Sequence, residues 1–188
     1  MKGKIIEKSL QLFETKGFSE TSIQDIVDEM GVTKGTFYYY FKSKKQLLMD
    51  IHTMYISELL KMQTEIMNNS EKDAKEKIKG IVSILVKSIR THGPSARVFF
   101  RELRHLDEKS LPEIIEKRDK VRYNLQKVIE DGIDSGELRS DLKPDIITFG
   151  ILGMCNWSYS WFNPEGPASE EDVILTYVEM TLKGLLPY

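Results

Sequence analysis

Between Thr21 and Lys45 the chain reads Thr-Ser-Ile-Gln-Asp-Ile-Val-Asp-Glu-Met-Gly-Val-Thr-Lys-Gly-Thr-Phe-Tyr-Tyr-Tyr-Phe-Lys-Ser-Lys-Lys. Few arrangements accommodate it. Thr21 suits an N-cap, and Gln24 three positions on can return the hydrogen bond, so a helix is expected from about Ser22. Ile23, Ile26, Val27 and Met30 recur at helical spacing and form one apolar face. Gly31 ends that helix, because a left-handed residue after the last turn costs glycine little. Val32 plugs the corner, and Thr33 caps a second helix starting at Lys34. Two helices this short around a glycine turn form a helix-turn-helix.

The second helix opens polar and cationic and then turns aromatic. Lys34, Gly35 and Thr36 fill its first turn, the part of a recognition helix that reaches base edges in the major groove. Phe37 and Phe41, four apart, are expected to point inward. Tyr38, Tyr39 and Tyr40 cannot all be buried on one face, so some of their hydroxyls meet water or phosphate; taken alone, the triplet also fits a bundle core with a wet rim. Ser43 caps the next helix with Gln46. Thr33 to Lys45 contains four lysines and no acid, a local cationic patch of the kind that meets phosphates.

These residues carry a family likeness. Thr21 to Leu47 resembles the N-terminal signature of the TetR family of bacterial transcriptional regulators: the Thr before the second helix, Gly31-Val32-Thr33, Gly35-Thr36-Phe37-Tyr38, Tyr40-Phe41, and Ser43-Lys44 with Leu47. The chain departs from the family pattern at Val27 and Met30, where alanine is usual. Both are apolar and expected to face inward. The resemblance implies that Thr33, Lys34, Gly35 and Thr36 lie against base edges or nearby backbone. It also implies that Tyr39, Tyr40 and Lys44 contact phosphates, that Thr21 and Ser22 touch backbone at the start of the second helix, and that Tyr38 is half core and half DNA contact.

Charge is distributed accordingly. Met1 to Leu48 holds 8 Lys+Arg against 6 Asp+Glu, whereas the remainder holds 19 against 23. A slightly basic head on an acidic body suits a DNA-binding head and a sensing body. The single Cys155 excludes an internal disulfide and fits a reducing compartment. No segment has the ~18 apolar residues needed to span a bilayer, and no signal peptide opens the chain, so a cytoplasmic protein with no membrane partner is expected.

The remaining chain reads as helices throughout, giving an all-α fold of about nine helices. Residues 1–47 form the helix-turn-helix domain and residues 48–188 a helical ligand-binding and dimerisation domain. A first helix runs from Lys4 to Lys16, stopped by Gly17. A long fourth helix, about Lys44 to Met67, begins beside the DNA patch and couples it to the body. Further helices are expected at about Ala74 to Thr91, stopped by Gly93-Pro94, at Ser95 to His105, and from Leu111 to about Gly132. Pro144 opens a helix through Trp161 that is apolar nearly all round, and Ser169 with Asp172 caps the last one. A helix apolar on every face is buried on every face, and Gly150 and Gly153 admit a close neighbour, so a two-fold homodimer through the C-terminal helices is expected, with Val178 and Leu182 among its outward residues.

Enzyme motifs are absent: His52, His92 and His105 lack metal-ligand spacing, and neither a Gly-rich phosphate loop nor a nucleophile elbow occurs. No catalytic residue, metal or cofactor is assigned. Two functions stay in view. One is a ligand-responsive regulator, in particular a repressor that binds a palindromic double-stranded operator as a dimer and is released by a small apolar effector. The other is a helical small-molecule carrier or enzyme whose helix-turn-helix is only architectural.

TetR-like proteins enclose a ligand among the body helices, and the resemblance places Phe99, Phe100, Leu103, Tyr123, Met154, Trp157 and Trp161 around one; taken singly, each better suits a hydrophobic core, since buried aromatics usually just pack. The run Trp157-x-x-x-Trp161-Phe162-x-Pro164-x-Gly166-Pro167 resembles the branch of the family that regulates fatty-acid and acyl-CoA degradation, which implies an acyl-CoA or fatty-acid effector. Arg97, Arg101 and Arg104 are available to an anionic head group or to solvent.

Overall fold

Helical periodicity carries through to the backbone: in the computed structural model, which describes residues 1–106 and 111–186, every regular element among the described residues is a helix. The order is α1 (Lys2–Lys16), α2 (Ile23–Met30), α3 (Lys34–Tyr40), α4 (Lys44–Met67), α5 (Ala74–Glu102), a 3-10 turn (Leu103–His105), α6 (Leu111–Asp134), α7 (Pro144–Trp161) and α8 (Glu170–Leu185). The expected helices at Ala74 to Thr91 and Ser95 to His105 are one kinked element. His92 leaves the helical region (φ −131°, ψ 16°) just before Pro94. Proline lacks the N–H for the bond to the preceding turn and its ring crowds that carbonyl, which bends the helix without ending it.

Two compact units result, one formed by Met1–Ile56 with His92–Ile115 and the other by Ser57–Thr91 with Glu116–Tyr188. We call them head and body. The head therefore includes the second part of α5, well beyond residue 47 in sequence.

In the head, Ile5, Phe13, Phe18, Ile26, Phe37, Phe41, Leu47 and Leu48 are buried, together with Val27, one of the departures from the family pattern. Phe99 adds a ring from α5, stacked near His52 (5.1 Å) and Tyr55 (5.1 Å) of α4. The start of α2 corrects the sequence reading by one residue. Ser22, not Thr21, is the N-cap: its hydroxyl accepts the Asp25 N–H at 3.0 Å, and the Asp25 carboxylate accepts the Ser22 N–H at 2.7 Å. Thr21 is fully buried, and its hydroxyl donates to Gly17 O at 2.8 Å and lies 3.3 Å from Leu12 O. The Thr21 hydroxyl is committed to those carbonyls, so the neighbour is left to cap.

The body packs Ile78, Ile81, Val82, Leu85 and Val86 of α5 with Leu125 and Ile129 of α6, Ile151 and Tyr159 of α7, and Val173 and Leu185 of α8. Gly132 permits the α6 end to close, since a methyl there would fall 2.7 Å from Ala74 Cβ and 2.8 Å from Leu138 Cδ1. Several polar groups inside pair with one another: Gln63 donates to Val121 O and receives Asn124, both at 2.9 Å, and the Ser88 hydroxyl pairs with Tyr159. Ser169 and Asp172 form the expected capping box on α8, and Pro144 opens α7. Burial pushes the Cys155 thiol up to about 12, so it packs as a small apolar side chain.

Candidate nucleic-acid interface

The turn between α2 and α3 is built as its residues require. Gly31 adopts the left-handed conformation (φ 63°, ψ 34°) and returns its N–H to Asp28 O. Thr33 then starts α3, its hydroxyl accepting the Thr36 N–H at 3.4 Å. Phe37 and Phe41 anchor the helix from below, their rings 5.7 Å apart.

What remains outside is the candidate surface. Ser22, Thr33, Lys34, Gly35, Tyr38 and Tyr39 are exposed, with Tyr39 at 81%, and Thr36 and Tyr40 are half-buried. Tyr39 and Tyr40 hold each other edge to face, 4.8 Å apart. A methyl on Gly35 would meet Thr33 Oγ1 at 3.5 Å, an ordinary contact, so packing inside the head does not demand glycine there. Its smallness acts outward, where backbone can approach a duplex. Exposed Lys42 and Lys45 flank the same helix.

Two of the expected DNA contacts are spent inside the head. Thr21 is buried as described. Lys44 turns its ammonium onto the α1–α2 turn, donating to Phe18 O (2.7 Å), Ser19 O (3.3 Å) and Thr21 O (2.5 Å), with the Phe18 ring 4.4 Å below. All three protons are used, so Lys44 braces the interface where a phosphate contact was expected. Partial burial lowers its pKa, with Asp25 and Glu20 acting against that. Asp25, hydrogen-bonded by the Ser22 hydroxyl and backbone and paired with Lys16 at 3.4 Å, is held at about 2.

Two residues that sequence reasoning left to solvent or to a ligand also serve the head, with a third that it did not assign. Arg97 grips the Glu14 carboxylate at 2.5 Å, and Arg101 donates to the carbonyls of Phe13 and Glu14 at the end of α1. Glu102 is 3% exposed beneath them. One signal for it existed: it falls three and four residues after Phe99 and Val98, an acid in the core register of an amphipathic helix.

The seven expected effector residues divide between the two units and differ in burial. Phe99 is core of the head, Leu103 is half-buried there, and Phe100 is 45% exposed. In the body Met154 is half-buried, while Tyr123, Trp157 and Trp161 stand outward, Trp157 at 68%. Tyr123 is stacked by the Arg122 guanidinium, which also lies 5.3 Å from the Phe149 ring. On α7, Ile146, Phe149, Gly150, Gly153, Trp157 and Trp161 share one exposed stripe, opposite the buried Thr148, Ile151, Cys155 and Tyr159. Leu175 and Met180 are the exposed apolar residues of α8; Val178 and Leu182, expected outside, are each 8% exposed and belong to the body's own core.

A capped short helix, a left-handed glycine and a second helix with a polar, cationic outer face define a helix-turn-helix DNA-binding protein. The chain belongs to the TetR family: residues 5–51 match the model described as "Bacterial regulatory proteins, tetR family" and residues 71–185 match "Tetracyclin repressor-like, C-terminal domain". It is a ligand-responsive, DNA-binding transcriptional regulator. The HTH-type transcriptional repressor KstR2 of Mycolicibacterium smegmatis is 24% identical over 183 residues, covering 96% of this chain and 88% of that one. Among solved structures, the ketosteroid transcriptional regulator KstR2 of Mycobacterium tuberculosis aligns over 100% of this chain and 95% of its own with a TM-score of 0.93 and 22% identity. AibR, solved in complex with isovaleryl coenzyme A and operator DNA, aligns over 95% and 96% with a TM-score of 0.86 and 22% identity. No helix among the described residues is long and apolar enough to cross a membrane.

Proposed function

We propose that the protein is a cytoplasmic, non-enzymatic repressor that binds a palindromic operator as a homodimer and leaves it when an acyl-CoA or fatty acid binds. Residues 1–47 read DNA, and residues 48–188 bind the effector and dimerise. The observation that carries this reading is the outer face of α3, where Thr33, Lys34, Gly35, Tyr38 and Tyr39 are all exposed over a core closed by Phe37 and Phe41. Thr33, Lys34, Gly35 and Thr36 address base edges; Ser22, Tyr39, Tyr40, Lys42 and Lys45 address phosphates.

The exposed stripe of α7, with Leu175 and Met180 of α8, supports the dimer, because contiguous apolar surface of this kind seeks a partner and a two-fold axis supplies the same surface. Such a dimer sets two α3 helices about 34 to 36 Å apart, or further apart on a longer operator. The acyl-CoA proposal rests on the Trp157 to Pro167 run and on the isovaleryl coenzyme A in AibR.

Mobility shift with duplexes selected from a random pool tests the reading. A saturable, salt-sensitive complex on a two-fold symmetric site is expected, and no selection would overturn it. The selected complex is then titrated with acyl-CoAs, free fatty acids and aromatic cations. Release by acyl compounds is expected; release by cations alone would sink the effector proposal. By linkage, DNA must weaken effector binding by the factor by which effector weakens DNA binding.

A further inference from the structure

The turn that delivers the chain into α2 is held by opposite charges on two helices of the head. Lys44 of α4 takes its carbonyls, as described. Glu102 of α5 takes its N–H: Oε1 accepts from Phe18 N at 3.4 Å. The same carboxylate receives Arg101 Nε at 2.7 Å, and its Oε2 lies 3.4 Å from His105 Nε2. Arg101 continues to the last carbonyls of α1, and the His105 ring sits 5.4 Å from the Phe18 ring. A charge at 3% exposure is costly unless partners meet it, and removing one member of such a cluster leaves the others without their partner. The acid in this register is tied at once to the Phe18 N–H of the turn and to Arg101. Beside the turn, a cleft of about 470 Å³ lined by Lys16, Gly17, Phe18, Ser19, Arg101 and His105 gives it room to shift when its ties are cut.

We propose that Glu102 is a positioning residue for operator recognition: together with Arg101 it sets the α1–α2 turn, and hence the angle at which α2 and α3 meet the duplex, without touching DNA. This rests on the reading of α3 proposed above. A base-reading surface tolerates little misplacement, so loosening its entry turn costs affinity with every phosphate contact still available.

The test compares wild type with Glu102→Leu and Glu102→Gln on a fluorescein-labelled duplex selected by the wild-type protein, by anisotropy across a salt series, with amide exchange followed by mass spectrometry. For Glu102→Leu, Kd is expected to rise about tenfold, the value of a hydrogen bond to a charged group, and the melting temperature to fall, because Arg101 and the Phe18 N–H lose their partner. The salt slope stays at the wild-type value, and exchange quickens at residues 17–22 alone. Glu102→Gln, which keeps an acceptor for Phe18 N–H, falls between the two and carries the test should the leucine variant misfold. Kd within twofold of wild type for both variants overturns the proposal. So does a salt slope lowered by about one unit, which marks a lost phosphate contact, or exchange raised throughout the head. If wild type selects no duplex, the reading of α3 fails with it, and that failure is visible in wild type itself.

Discussion

Helices α3 and α7 both present aromatic rings to the outside, in different surroundings. On α3 the exposed rings are tyrosines, 53% and 81% exposed at Tyr38 and Tyr39, set among Lys34, Lys42 and Lys45. On α7 they are Phe149, Trp157 and Trp161, at 59%, 68% and 48%, set among Ile146 and two glycines whose added methyl would meet nothing within 4 Å. A hydroxyl beside a lysine is satisfied by water or phosphate, whereas an apolar stripe with glycine gaps is satisfied by another helix. Exposure alone does not separate an interface for nucleic acid from one for protein; the neighbouring groups do.

The largest expected effect breaks the α7 side. Trp157→Glu should yield monomers in sedimentation and weaken operator binding by ~10²-fold or more, because two half-sites no longer bind as one. If the variant stays dimeric, the stripe is not the subunit interface. Leu182→Ala provides the contrast: buried in the body, it should cost roughly 2 to 5 kcal/mol in chemical denaturation and leave dimerisation intact in the protein that remains folded.

On the α3 side the effects are smaller and more specific. Thr36→Ala should relax preference at particular base pairs, at about 1 to 3 kcal/mol each, measured by competition among mutated duplexes. Lys45→Ala and Lys44→Ala then separate two kinds of cation. Lys45→Ala is expected to lower the salt slope by about one unit, while Lys44→Ala lowers affinity with the slope retained, since its ammonium already serves three carbonyls. Equal slopes for the two variants would return Lys44 to the phosphate-binding set.

The smallest expected effect is in acid. Asp25 is held at about 2, chiefly by the Ser22 hydroxyl, below its ordinary 3.8. A depressed carboxylate contributes stability above its unfolded value and loses it as pH falls, so the α2 cap weakens between about pH 4 and 2. Thermal melts of Asp25→Asn should show a flatter pH dependence across that window; an unchanged slope would assign the acid sensitivity elsewhere.

Much of this was legible in sequence because local chemistry decides it. The αL glycine at 31, the Thr33 and Ser169 caps, Pro144 at a helix start and the inward Phe37 and Phe41 follow from propensities that act within one or two turns. The same holds for the expectation that the tyrosine triplet could not be wholly buried.

Tertiary structure alone decided which of two adjacent hydroxyls caps α2, because Thr21 and Ser22 are equivalent until the end of α1 offers one of them its carbonyls. It also decided that Lys44 faces inward, that Arg97 and Arg101 clasp α1, and that Val178 and Leu182 are core while Trp157 and Trp161 stand out. Periodicity gives the faces of a helix but not which neighbour takes each face. For α7, apolar on both sides, and for α5, whose kink at His92 places its second part in the head, that choice rests on contacts between residues up to 88 positions apart, such as Arg101 with Phe13. No local rule reaches that far, since such contacts form only when the chain has closed around them.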